Sequence, residues 1–245
     1  DNFTTIEKAV EEGRGIYHNI RKTVLFLLSS NLGEVVAMFT AIVLGLPAPL
    51  LAVHILWVNL VTDTLPALAL GTDGKPRGLM KKPPRDPKAS LFADGGGFNI
   101  ALYGCLIALG TLSAFYLVAK GVSPSLKVFE IQKMTDILSN EAHLMKAQTL
   151  AFSILALSQL AHATTMRDHE VSVFGSKLYK NRLMVLAIFI GVGAQVLVTE
   201  VPFFMEAFHT SPLSLQEWGI VLAVSLLPAG VHEIQVIVRK LFRQA

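Results

Sequence analysis

Residues 55–71 read ILWVNLVTDTLPALALG. The stretch contains no Lys or Arg and is apolar for most of its length, yet Asn59, Thr62, Asp63 and Pro66 stand inside it. Helical spacing puts Asn59, Thr62 and Asp63 at i, i+3 and i+4, on one face. An apolar run of about 20 residues crosses a bilayer as a helix. The block from about Leu50 to Gly71 therefore reads as a membrane helix with a polar stripe. An ionisable group at that depth is costly and marks an ion or substrate path.

Upstream lies another apolar block, from about Thr23 to Gly45, in which SSNLGEVV places Asn31 and Glu34 three apart, again on one face. The connection LGLPAPLLA is short and Pro-containing, so these two helices are predicted to be antiparallel neighbours. Downstream, apolar blocks run from about Gly97 to Ala119, Ala147 to Ala163, Leu183 to Val201 and Trp218 to Val238. No strand-like alternation of comparable length occurs. The fold is read as all-α, a polytopic membrane bundle of six transmembrane helices. Composition agrees: 52% of residues are hydrophobic and only 16% charged, against about a quarter charged in soluble domains.

The basic residues avoid all six blocks. Lys8, Arg14, Arg21 and Lys22 precede the first. Lys75, Arg77, Lys81, Lys82, Arg85 and Lys88 lie between the second and third. Arg167, Lys177, Lys180 and Arg182 lie between the fourth and fifth, and Arg239, Lys240 and Arg243 follow the sixth. Six crossings bring all of these to one side and leave only Lys120, Lys127, Lys133 and Lys146 on the other. The excess of Lys and Arg on cytoplasmic loops then places both termini in the cytoplasm, in a membrane whose identity stays open. Residues 1–22 form the start of a cytoplasmic stalk, 23–71 an ion-site hairpin, 72–96 a cytoplasmic loop and 97–245 a four-helix support region. Within the external loop, EIQKMTDILSNEAHL reads as a short surface helix. No basic cluster interleaved with aromatics suggests nucleic acid, and the N-terminus is not a signal peptide. Lacking an initiator Met, the chain is expected to begin inside a longer protein. Cys105 is the only cysteine. No internal disulfide is possible, and Cys105 reads as a small buried hydrophobe.

Asn31, Glu34, Asn59, Thr62 and Asp63 offer oxygen donors, which suit a hard cation such as calcium. No Cys pair or His cluster with soft-metal spacing competes. Pro66 cannot donate to the carbonyl of Thr62, which is therefore expected to be free beside Asp63. The alternative is that the polar groups only tie helices together. Two carboxylates on adjacent helices weigh against it, because burying both ionised and uncompensated costs several kcal/mol each. Gln159 offers one more amide oxygen, though packing explains it as well. Ser153 and Ser158 read as backbone-bonded, His162 as structural, His54 as interfacial and Glu200 as solvated. His232 and Glu233 are placed near the cytoplasmic boundary.

NLGEVV, the short Pro turn, ILWVNLVTDTLPALALG and MKKPPR together resemble the type II P-type ATPases, above all calcium pumps of the sarcoplasmic-reticulum type and their bacterial relatives. EEGRGIYHNIRK resembles the stalk of that family's fifth transmembrane helix. The resemblance covers the whole chain as helices five to ten of a ten-helix transport domain. It implies that Asn31, Glu34, Thr62 and Asp63 hold one calcium ion, with Asn59 in a second site that shares Asp63. A family glutamate on helix eight falls on Gln159 of FSILALSQLAHA, which leaves one or two ions per cycle open. The family's DKTG and TGES motifs, nucleotide-binding domain and helix-four PEGL-type motif are not among these residues. This chain alone is not expected to hydrolyse ATP. ATP and magnesium would be bound by the rest of the parent pump, whose helices one to four and cytoplasmic domains, with the lipid bilayer, are the implied partners. Protons would return on the carboxylates. A self-contained secondary cation transporter or channel, a membrane-anchoring assembly module, and manganese or sodium as cargo also remain open.

Overall fold

The computed structural model describes residues 3–75, 78–81, 83–84, 90–93, 95–168, 171–173, 175 and 181–244. Part of KKPPRDP, the basic residues Arg77, Lys82, Arg85, Lys88, Lys177 and Lys180, and the side chain of Arg243 lie outside the described residues.

Helix α1 (Phe3–Val43) runs 41 residues without a break. At 1.5 Å per residue it is about 60 Å long, roughly twice the hydrocarbon thickness. The expected stalk and first span are thus one rod. Its buried residues Gly15, Asn19, Lys22, Phe26, Ser29, Ser30, Gly33, Glu34, Ala37 and Ala41 recur every three or four positions, so a single stripe continues from stalk into span. After a turn with Gly45 in the left-handed region (φ 69°), the chain returns as α2 (Ala52–Trp57), a π-helical segment (Val58–Asp63) and α3 (Thr64–Gly71). The backbone before Pro66 is widened rather than unwound. The π turn takes an additional residue into the ladder, a feature frequent at functional sites. Thr64 Oγ1 donates to the Asn59 carbonyl at 2.9 Å.

The remaining long helices are α4 (Gly96–Val122), α6 (Glu141–Thr165), α7 (Arg182–Glu200), and the pair α9 (Leu215–Ser225) and α10 (Leu227–Gln244). Short helices α5 (Ile131–Leu138) and α8 (Pro202–Phe208) lie in the loops before α6 and after α7, and α5 matches the expected surface helix. Caps are made as their sequences demand: Asn140 Oδ1 accepts from the backbone of Ala142 and His143, Asn181 Oδ1 accepts from Met184, and Ser214 with Glu217 forms a capping box. The sixth span was expected as one helix from Trp218 to Val238. It is instead interrupted at Leu226, two residues before Pro228, which has no N–H to continue the ladder.

Six helical segments among the described residues are long and apolar enough to cross a membrane. Helix α1 packs chiefly on α4, and α4 on α6; α6 also touches α1, α3, α7, α9 and α10. The spans invert the usual soluble rule: α6 is the least hydrophobic of them and the most buried. Lipid tolerates only apolar faces, whereas a helix surrounded by other helices can satisfy polar groups on every side. Exposed Phe39, Leu60, Leu109 and Phe189 fit lipid- or helix-facing surface. Cys105 belongs to that outer surface, not to the core. The apolar block was read correctly, but its outward face was not, because a weakly polar thiol is compatible with either.

The α1–α4 contact depends on two glycines. A Cβ on Gly33 would stand 2.8 Å from Ile107 Cγ2 and 3.3 Å from the Gly104 carbonyl, and one on Gly104 would stand 3.0 Å from Leu32. Gly33→Val is expected to cost about 1–3 kcal/mol by overpacking, read as a lower unfolding temperature in detergent. At Gly219, where a Cβ meets nothing within 4 Å, alanine is expected to be tolerated.

Candidate cation site

Four predicted donors converge where α1, the π segment and α6 meet. Glu34 is 5% exposed, Asp63 2%, and Thr62 and Gln159 are fully buried. The Gln159 amide uses both ends: Nε2 donates to Glu34 Oε1 at 2.9 Å, and Oε1 accepts from Thr62 Oγ1 at 3.2 Å. The Thr62 hydroxyl also lies 3.0 Å from the Val58 carbonyl. Asn59 reaches Glu34 Oε2 only at 3.5 Å, while its amide donates to Ile55 O at 2.9 Å. Asn59 and Asn31 are exposed, and Asn31 takes no part in this hydrogen-bonded set. The two asparagines lie on the open side of the hairpin, beside exposed Val35, Leu56 and Leu60.

Asp63 is the exception to the satisfied pattern. Both its carboxylate oxygens are buried without a hydrogen bond of good geometry, and the neighbouring Ser30 hydroxyl, the donor that acts on this carboxylate, makes none either. An ionised carboxylate in that state costs several kcal/mol, so the site calls for a cation or a proton. The donors are all oxygen, the chemistry of a hard cation. Among the described residues no group of three or more His, Cys, Asp or Glu is placed to hold a metal ion, so a cation here would take two carboxylates together with amide and hydroxyl oxygens.

A second polar centre was not anticipated. Asp73, just beyond α3, accepts from Arg167 at 2.9 and 3.3 Å, from Asn181 at 3.1 Å and from Lys22 at 3.4 Å. Asn19 donates to its backbone carbonyl at 2.6 Å. Burial works against ionisation of Asp73, but the Arg167 hydrogen bonds and the Lys22 and Arg167 charges outweigh it and hold the carboxyl below its usual range. This clamp joins α1, α3, α6 and α7. The following loop is tied along α1: Lys75 pairs with Glu12 at 2.5 Å, Arg14 donates to Leu79 O at 3.2 Å, and Arg21 donates to Leu91 O at 2.9 Å and also to Ala93 O.

Several minor expectations change. His54 is buried rather than interfacial: Nε2 is 2.7 Å from Phe208 O, Nδ1 accepts from Leu51 N–H at 3.3 Å, and the ring stacks on Phe152. Glu200 is held rather than solvated, accepting from Leu213 N–H at 3.1 Å and Trp218 Nε1 at 2.9 Å. The Ser153 hydroxyl accepts from Gln195 at 3.2 Å instead of serving only the backbone. Glu233 accepts from Val173 N–H at 2.6 Å and His232 Nε2 lies 3.2 Å from Val171 O, so both fasten the segment after α6.

Six apolar helical segments in one bundle define a multi-pass helical membrane protein. The family described as "Cation transporting ATPase, C-terminus" matches residues 47–238, and the chain belongs to that family. It is 43% identical over 240 residues to Calcium-transporting ATPase 1 of Bacillus cereus, covering 98% of this chain and 27% of the relative. It is 38% identical to a calcium-transporting ATPase of Bacillus subtilis, covering 98% and 25%. With the endoplasmic reticulum calcium ATPase srcA of Aspergillus fumigatus it shares 31% identity, covering 96% and 25%. The chain thus spans about a quarter of the length of these relatives.

Proposed function

We propose that this chain is the membrane-embedded, cation-handling part of an ATP-driven calcium pump. The observation that carries the reading is Asp63, a carboxylate at mid-span buried with no hydrogen bond of good geometry, beside Ser30 and Glu34 in a chain of this family. Glu34, Thr62, Asp63 and Gln159 form the enclosed side of the site. Asn31 and Asn59 complete it from the open side, where helices of the remaining pump pack. ATP and magnesium act in the pump's other domains, both termini of this chain are cytoplasmic, and protons replace calcium on the carboxylates. The 1–22 stalk extension, 23–71 ion hairpin, 72–96 cytoplasmic loop and 97–245 support region are the working divisions. A self-contained transporter is less favoured, because the relatives named above are ATPases.

The test is calcium-dependent ATP hydrolysis and calcium uptake by the full-length protein and its site variants. Gln159→Glu is informative here, because it removes the donor that now reaches Glu34 and adds a carboxylate. Charge count raises the affinity of oxygen sites for calcium. The variant is expected to bind calcium at least about tenfold more tightly, about 1.4 kcal/mol, with sharper competition from protons. Unchanged affinity and ion-to-ATP ratio would remove Gln159 from the site.

A further inference from the structure

Below the cation site, towards the end of the bundle that carries Lys22 and Arg167, a buried polar layer joins α1 and α6. His162 Nε2 lies 2.6 Å from Ser29 Oγ, and Nδ1 lies 3.1 Å from Thr165 Oγ1. All three residues are at most 1% exposed. The ring stacks on Tyr103 with centroids 4.5 Å apart and tilts against Phe26 at 5.9 Å. Along α1, Ser29 sits about 8 Å from Glu34 and about 10 Å from Lys22 by helical rise. The contacts Glu34–Gln159, Ser29–His162 and the Lys22–Asp73–Arg167 clamp therefore form three successive layers of one polar seam.

The two buried histidines differ in what their surroundings allow. At His54, Nδ1 must accept, because Leu51 N–H points at it, so the proton sits on Nε2 facing Phe208 O. A second proton would confront that N–H, and the ring is locked neutral. At His162 the groups at the two ring nitrogens, Ser29 and Thr165, are hydroxyls, and each has a backbone carbonyl to donate to instead. Ser29 Oγ is 2.9 Å from Leu25 O and 2.8 Å from Phe26 O, and Thr165 Oγ1 is 2.7 Å from His162 O. Either hydroxyl can accept from the ring while donating to a carbonyl. Both neutral tautomers and the doubly protonated ring are thus satisfied without orphaning a polar atom. The Tyr103 face also suits an imidazolium. Facing His162 are Ser29 and Phe26 from α1, Thr165 on its own helix, and Tyr103 from α4. Of these, Tyr103 is titratable; its hydroxyl donates to Gln235 of α10 at 3.2 Å and also meets the Thr165 side chain, and Arg239 of α10 acts on it electrostatically.

We propose that His162, held between the Ser29 and Thr165 hydroxyls, is a proton station between the cation-site carboxylates and the Lys22–Asp73–Arg167 end of the bundle. It accepts a proton on one ring nitrogen and releases one from the other. Ser29 is followed by Ser30, whose buried hydroxyl acts on the Asp63 carboxylate, so the next residue of α1 borders the site itself. The proposal rests on the calcium-pump reading, since it concerns the protons exchanged for calcium there.

The experiment uses the full-length pump in proteoliposomes, with calcium uptake and proton counterflow followed together from about pH 6 to 8, where histidine titrates. His162→Gln keeps a hydrogen-bonding side chain but cannot carry a proton. It is expected to leave the calcium affinity of ATP hydrolysis unchanged, to slow proton counterflow at least about tenfold, a modest loss for a proton-transfer group, and to flatten the pH profile. Wild-type counterflow and pH profile in this variant would overturn the proposal. Should His162→Gln fail to fold, Ser29→Ala, which leaves the imidazole in place, is expected to slow counterflow in the same sense, and no change would overturn it equally. Asp63→Asn is measured in parallel: retained calcium uptake there would overturn the calcium-site reading itself, a result distinguishable from the failure of His162 alone.

Discussion

Asp63→Asn in the full-length pump is expected to abolish calcium uptake while leaving the protein folded. Removing one partner from a buried charge interaction costs about 3–5 kcal/mol, which is about two to four orders of magnitude in affinity. The substitution is nearly isosteric, and the Asp63 oxygens make no hydrogen bond of good geometry that an amide oxygen could not also accept from Ser30. A neutral amide there also relieves the cost of burying a carboxylate next to Glu34. The unfolding temperature without calcium is therefore expected to stay the same or rise. That combination separates a ligand from a structural residue: activity lost, stability kept. Calcium uptake within a few-fold of wild type would sink the assignment. Glu34→Gln serves as a control with a different outcome, because Glu34 already accepts from Gln159 and Asn59 and an amide there disturbs an existing network.

Asp73→Ala is expected to show the reverse pattern, a large loss of stability with the cation ligands intact. It removes the carboxylate that pairs with the buried Lys22 and Arg167 side chains, which are 9% and 11% exposed. Breaking such a pair from one side costs about 3–5 kcal/mol, measurable as a lower unfolding temperature and poor recovery from the membrane. Asp73→Asn keeps an acceptor and is expected to lose less. The pH dependence has a definite sign. The folded carboxyl titrates below its ordinary value, so its contribution is fully present above about pH 3.9 and is lost as pH falls through the lower folded value. The penalty of Asp73→Asn is therefore constant across the neutral range and disappears only in strong acid. A penalty that varied between neutral and mildly acidic pH would contradict the clamp.

The six spans were legible because the bilayer enforces long apolar runs, and Glu34 and Asp63 were legible because ionisable groups inside such runs stand out. Spacing put Asn31 with Glu34 and Asn59 with Asp63, but it does not say which edge of a face meets a neighbour. Glu34 and Thr62 meet Gln159 of α6, and Asp63 is buried beside Glu34 and Ser30 of α1, while Asn31 and Asn59 stay exposed. Gln159 was weak on its own residue-level merits and is now seen bonded to both Glu34 and Thr62. The Asp73 clamp was invisible for a different reason. Its partners lie 51, 94 and 108 positions away, and no local pattern encodes such pairing. The interruption at Leu226 had a visible cause in Pro228, but an apolar run does not reveal whether a proline bends a helix or breaks it.

The uninterrupted α1 has a mechanical consequence. With the Lys22–Asp73–Arg167 clamp as pivot, the outer arm back to Phe3 is about 28 Å long and the inner arm to Glu34 about 18 Å. The loop ties at Glu12, Arg14 and Arg21 lie on the outer arm or at the pivot. Tilting the rod so that its outer tip moves about 3 Å displaces Glu34 by about 2 Å in the opposite direction, by the ratio of those arms. A 2 Å movement is most of a calcium–oxygen bond length. A small push at the outer end of the rod would thereby be geared to a movement at the proposed cation site.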